Sequence, residues 1–202
     1  NSPYSTTMTF TAPGAEPLEV PVTLNILPPR APGQPFSVWP QGEAQSDPAI
    51  ACDPATGKYV VTWTVGSIVY AMVLSATGTP LANPMPVSLA VQGPASAPTV
   101  AIDDTASAAW IIWEQRSSGE EQRALVARVL DLKPYTMGSR FGLAGGTGTL
   151  TKATALYHPA RREIAVIYNQ SGANSANVHL LRVNAVSRAI LSDKIVSNET
   201  VT

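Results

Sequence analysis

Internal repetition constrains this chain more than any other feature. Pro48-Ala49-Ile50-Ala51-Cys52-Asp53-Pro54 aligns without gaps to Pro98-Thr99-Val100-Ala101-Ile102-Asp103-Asp104 and to Ala153-Thr154-Ala155-Leu156-Tyr157-His158-Pro159. The register continues, because Tyr59-Val60-Val61-Thr62-Trp63 matches Ala109-Trp110-Ile111-Ile112-Trp113, and both match Ile164-Ala165-Val166-Ile167-Tyr168. An aromatic ends the second run of every copy. Third runs follow at Ile68–Leu74, Ala124–Leu130 and Val178–Val183, and short fourth runs at Pro86–Leu89, Arg140–Leu143 and Lys194–Ser197. Each run is rich in β-branched and aromatic residues and is bounded by Gly, Pro, Asp or Asn, which is how strands read.

Each copy is therefore four strands, with copies at about 44–92, 93–146 and 147–202. Four strands in roughly 50 residues is the count and period of a β-propeller blade. The second strands are apolar on both faces: Tyr59, Val61 and Trp63 alternate with Val60, and Trp110 and Ile112 lie opposite Ile111 and Trp113. A middle strand sandwiched between neighbouring sheets needs that, whereas a sandwich with one wet face shows cleaner alternation. Composition agrees, since 13% charged and 45% hydrophobic residues with 18 prolines and 14 glycines describe a turn-rich β protein. The expected fold is all-β, with three propeller-type blades. Asp53-Pro54-Ala55-Thr56-Gly57-Lys58 supplies a turn between first and second strands, with Gly57 able to take positive φ.

Ahead of the repeats, Thr6–Thr11 and Leu18–Leu27 flank the turn Ala12-Pro13-Gly14-Ala15, which reads as a β-hairpin. Pro28-Pro29-Arg30-Ala31-Pro32-Gly33 then makes a stiff linker, so residues 1–32 form one unit and 33–202 the repeats. The stretch Val20-Pro21-Val22-Thr23-Leu24-Asn25-Ile26 resembles the last strand of bacterial extracellular immunoglobulin-like modules of the BACON type. The run Ser46 to Trp63 is similar to the repeats of large bacterial secreted or surface proteins that form propellers. The resemblance implies an extracellular or cell-surface location. With no starting Met and no signal peptide, the chain reads as a processed piece of something longer.

Three blades pose a problem, because closed propellers have four to eight and open sheet edges invite pairing. Pro35-Phe36-Ser37-Val38-Trp39 resembles a further fourth strand of a blade contributed elsewhere. Either further blades were cut away, or copies from two chains complete one ring, or a partner caps the edges, and other protein chains are expected as partners.

Several function classes start low. A net charge of −1 gives no electrostatic reason for nucleic acid, and no window of about 18 unbroken apolar residues spans a bilayer. Cys52 stands alone, so no internal disulfide exists, and it reads as a small core residue. His158 and His179, the two histidines, read as surface or loop groups and do not make the converging set that zinc needs. Asp103 aligns with Asp53 at a turn and reads as a cap, and the pair Asp103-Asp104 lacks the facing arrangement of glycosidase carboxylates. The Asp-box of sialidase-like propellers does not fit Gly57 through Trp63. Gly142 through Thr149 reads as an inter-blade loop, not a phosphate cradle. Trp63, Trp113 and Tyr168 read as a structural layer repeated in each blade.

No catalytic constellation, cofactor site or metal site is expected. The residues singled out for contact are Trp39, which lies outside the repeat, and Glu120, Glu121 and Arg123 in the polar hairpin loop of copy two. The function expected is a non-enzymatic extracellular scaffold or binding module, touching protein or glycan. Two alternatives stand beside it: an accessory segment of a secreted carbohydrate-active hydrolase, and a subunit of an extracellular filament or complex that assembles through its N-terminal strands.

Overall fold

A computed structural model of the chain describes residues 4–10, 18–24, 38, 43–116, 123–146, 148–172 and 175–200. The chain divides into two compact units, Asn1–Ser37 and Val38–Thr202. In the first, β1 (Tyr4–Phe10) and β2 (Leu18–Leu24) form the expected antiparallel hairpin, with Tyr4 opposite Leu24 and Phe10 opposite Leu18. The linker and the strand read at Phe36 to Trp39 fall outside the described residues, apart from Val38.

The second unit is three antiparallel sheets in sequence order. Sheet one runs β3 (Gln45–Cys52), β4 (Tyr59–Val65), β5 (Ile68–Leu74) and β6 (Met85–Pro86). Sheet two runs β7 (Ala95–Asp103), β8 (Ala108–Arg116) and β9 (Arg123–Asp131), whose outer edge is shared by β10 (Thr136–Met137) and β11 (Phe141–Ala144). Sheet three runs β12 (Thr149–His158), β13 (Glu163–Ser171), β14 (Ser175–Asn184) and β15 (Ile190–Thr200). Part of the glycine-rich stretch thus belongs to a strand, because Gly142 pairs with Val126 within β11. Among the described residues no helix is long and apolar enough to cross a membrane.

The sheets stack face to face, and their first strands β3, β7 and β12 make the most extensive contacts between neighbours. Val60, Val69, Ala71 and Val73 of sheet one pack against Val100, Ile111 and Trp113 of sheet two. Trp110, Ile112 and Leu125, on the other face of sheet two, pack against Ile164, Val166, Leu181 and Tyr168 of sheet three. Sheet two is therefore buried on both faces, as its two-sided apolar pattern requires. Trp63, Trp113 and Tyr168 are all buried at equivalent places, which makes them a structural layer. Trp63 stacks on Tyr70, and Val38 packs in the same cluster.

One irregularity recurs in every first strand. Ser46 pairs with Thr64 but Ala49 with Thr62; Ser96 with Glu114 but Thr99 with Ile112; Thr151 with Asn169 but Thr154 with Ile167. Each first strand carries one extra residue, a β-bulge. At each bulge a non-glycine residue takes left-handed backbone: Asp47 (φ 51°), Ala97 (φ 48°) and Lys152 (φ 55°). Pro48 and Pro98 follow directly, and a bulge is where a strand tolerates proline's missing N–H. The prolines that anchor the repeat thus mark the bulge.

Two expectations are corrected. Cys52 is exposed, not core. It lies at the end of β3 on the face turned away from sheet two. His179 is mostly buried, not a surface group: its ring stacks on Tyr168 with centroids 4.9 Å apart, and its Nδ1 lies 3.0 Å from Asp193 Oδ1. It sits opposite Tyr168 on the inward face of sheet three. The Tyr168 hydroxyl donates to Asp193 Oδ2 at 2.7 Å, and burial followed by the Asp193 carboxylate pushes its phenol far above the ordinary value of 10.

Candidate functional site

A cavity lined by titratable side chains lies where the β4–β5 turn meets the start of β7 and the end of β8. Gly66 takes φ 58° there, which lets a tight two-residue turn join Val65 to Ile68. Ser67 accepts the Ala95 N–H through its carbonyl at 2.9 Å and so ties sheet one to sheet two. The cavity is about 180 Å³, and Ser67, Ser96, Glu114, Arg116 and Arg123 supply its polar groups.

Glu114 and Gln115 build this corner. Both follow the apolar run of β8, and both are buried. Buried polar groups need partners, and these have them. The Gln115 amide donates to the carbonyls of Gln92 at 3.0 Å, Gly93 at 2.8 Å and Pro94 at 3.1 Å, while its Oε1 accepts from the Trp113 indole at 3.0 Å. That fan fixes the segment entering β7. Glu114 Oε2 accepts from Arg123 Nη1, and its Oε1 accepts the N–H of Lys152, the bulge residue of sheet three, at 3.0 Å. A carboxylate taken out of water is thus paired on both oxygens. Arg116, exposed at the end of β8, has no ion-pair partner among the described residues.

Of the residues singled out in the sequence, Arg123 stands in this cavity, opposite Arg116 across the β8–β9 pair. Glu120, Glu121 and Trp39 lie outside the described residues. Sequence reasoning missed Glu114, Gln115 and Arg116. Their signal was present in the polar triplet Glu114-Gln115-Arg116 set directly after Trp110-Ile111-Ile112-Trp113.

The acidic residues read as turn caps act so. Asp53 Oδ1 accepts the Ala55 N–H at 3.0 Å and Asp103 Oδ1 the Ala106 N–H at 3.0 Å. No group of three or more metal-ligating side chains converges among the described residues.

No family model matches the sequence, and no curated protein matches it significantly. Among solved structures, the chain is similar to the Hadza microbial sialidase Hz136, at 11% identity and TM-score 0.61, over 75% of this chain and 37% of that one. It is also similar to an N-acetylgalactosamine deacetylase from F. plautii, determined with blood group B trisaccharide, at 12% identity and TM-score 0.52, over 78% and 53%. The chain spans about a third to a half of these proteins. At such identities the likeness is one of fold, and it agrees with three propeller-like sheets.

Proposed function

We propose that the chain is a non-enzymatic binding module of an extracellular or cell-surface protein, and that the rim beside Arg116 and Arg123 contacts a glycan bearing carboxylate groups. The observation that carries this reading is the cavity itself: Arg116, without an ion-pair partner among the described residues, the partly exposed Arg123 and two serines around about 180 Å³. That volume lies below the roughly 300–1,000 Å³ of drug-sized sites, so it suits one end of a ligand. Arginine matches a carboxylate in a two-pronged geometry, and serine hydroxyls suit a sugar's own. The state of Glu114 argues against hydrolysis. It is the single carboxylate among the described lining residues and is engaged on both oxygens, whereas a glycosidase needs two facing a sugar. The hairpin of residues 4–24 belongs, on this reading, to an immunoglobulin-like module.

Calorimetry with uronic- and sialic-acid oligosaccharides tests it. Binding in the micromolar to millimolar range is expected, weakened about tenfold by Arg116→Ala and by raising salt from 0.05 to 0.5 M. Absence of binding to any acidic glycan would sink the proposal. A second reading, an accessory segment of a secreted carbohydrate-active hydrolase, draws support from the chain spanning only part of its structural neighbours. Release of product from such a glycan by a longer natural form would favour it.

A further inference from the structure

The three copies act as internal controls for the cavity, because each sheet builds the same bulge at the same register. Ser96 pairs with Glu114, Ser46 with Thr64 and Thr151 with Asn169, so Thr64 and Asn169 hold the place of Glu114. Two residues on, Arg116 corresponds to Gly66 and to Ser171. Arg123, opposite Arg116, corresponds to Ala176, opposite Ser171. The charged trio Glu114, Arg116 and Arg123 therefore stands in sheet two alone, on a backbone that sheets one and three form without it.

The joint between sheets does not require the charge either. Glu114 Oε1 accepts the N–H of Lys152, the bulge residue of sheet three, at 3.0 Å. At the preceding joint the bulge N–H of Ala97 donates to Asp47 Oδ2 at 3.5 Å, while the Thr64 hydroxyl is buried with no hydrogen-bond partner among the described residues. A bulge N–H can thus be met from another position, and a neutral amide oxygen at position 114 would serve Lys152 as well. What a carboxylate alone supplies is negative charge against Arg123, whose guanidinium it holds at the cavity wall through Oε2. The Glu114 side chain is 3% exposed and that of Arg123 26%. A charge so buried is screened little by salt.

We propose that Glu114 is the specificity-determining residue of this cavity and sets its preference for singly charged sugars over sugars that carry a phosphate monoester. The inference rests on the reading of the cavity as a site for acidic glycans. A carboxylate brings one negative charge, whereas a phosphate monoester brings about 1.5 to 2 near pH 7. Arg116 and Arg123 attract both. Repulsion from Glu114 scales with the charge of the ligand, so it weakens the phosphate, on a logarithmic scale, about twice as much as the carboxylate. With Nη1 engaged by Glu114, Arg123 also has fewer donors to offer a phosphate's three oxygens. The arginines supply attraction, and the buried carboxylate supplies the repulsive element that discrimination needs.

Calorimetry near pH 7 tests this with a glucuronyl disaccharide and with the same disaccharide bearing a phosphate monoester in place of its carboxylate. The unaltered chain should bind the glucuronyl sugar more tightly, and that order should persist when salt is raised from 0.05 to 0.5 M. Glu114→Gln keeps an acceptor for the Lys152 N–H and should tighten the glucuronyl sugar about threefold and the phosphorylated one about tenfold. Far-ultraviolet circular dichroism checks that the variant is folded; if it is not, the salt series on the unaltered chain decides. Equal changes for the two sugars, an initial preference for the phosphorylated one, or a preference lost at high salt overturns the proposal and leaves the acidic-glycan reading standing. Failure of the unaltered chain to bind either sugar also overturns it, and failure with every acidic glycan removes that reading as well.

Discussion

Sheets two and three share the bulge in the first strand and a buried aromatic at the end of the second, yet they differ in what covers them. Sheet two is apolar and buried on both faces, whereas sheet three buries only the face that carries Ile164, Val166 and Tyr168. Ile112 and Ile167 are the same residue type at the same register, and only the first is covered. Burial here depends on a strand's place in the row of sheets as much as on its side chains. An apolar residue contributes to stability through the area it removes from water.

The largest test of that contrast is a matched pair of truncations. Ile112→Ala should cost about 2–5 kcal/mol in urea unfolding, the range for large-to-small core changes. Ile167→Ala should cost under about 1 kcal/mol. Equal costs would show that sheet three is covered within one chain. The polar pair comes next. Glu114→Ala strands the Arg123 guanidinium and the Lys152 N–H and should cost about 2–3 kcal/mol. Asn169→Ala, at the same place in sheet three, should lie within about 0.5 kcal/mol of the unaltered chain.

The aromatic layer sharpens the comparison through pH. Tyr168 titrates where Trp113 does not, and its folded-state pKa lies above the unfolded value of about 10. Its contribution is therefore fully present below pH 10 and is lost as pH rises from there toward the folded value, because the unfolded chain releases the proton first. Stability should fall above pH 10 at up to about 1.4 kcal/mol per pH unit from this group, and Tyr168→Phe should remove that part of the slope. An unchanged slope in the variant would count against the assignment. The smallest effect is expected at Thr62, which stands in sheet one where Ile112 and Ile167 stand in the others. Its buried hydroxyl has no hydrogen-bond partner among the described residues, so Thr62→Val should raise stability by about 1 kcal/mol.

Strand count, sheet order and the repeated aromatic layer were legible because strand runs, turn residues and a fixed period are local signals. Asp53 and Asp103 were read as turn caps for the same reason. The bulge was not legible. Gapless alignment of three copies hides an irregularity that all three share, although Pro48 and Pro98 stood at it. Cys52 and His179 were misjudged because exposure depends on which sheet lies across from a strand, and a strand's own residues do not state that. The cavity escaped for a related reason. It joins Ser67, Ser96 and Arg123, which lie on three different strands or turns, and the carboxylate that organises it takes its second partner, the Lys152 N–H, from another sheet.

The bulge has one more consequence. An extra residue in an alternating strand changes parity, so side chains before Asp47, Ala97 and Lys152 are out of phase with those after them. The strand is thereby split into two segments that obey separate rules. The longer one is bound to the stacking of the sheets, while the short leading one sets Ser96 at the cavity and seats Ala95 and Leu150 in the core by its own alternation. The same backbone can in this way carry different surfaces at its rim on an unaltered interior.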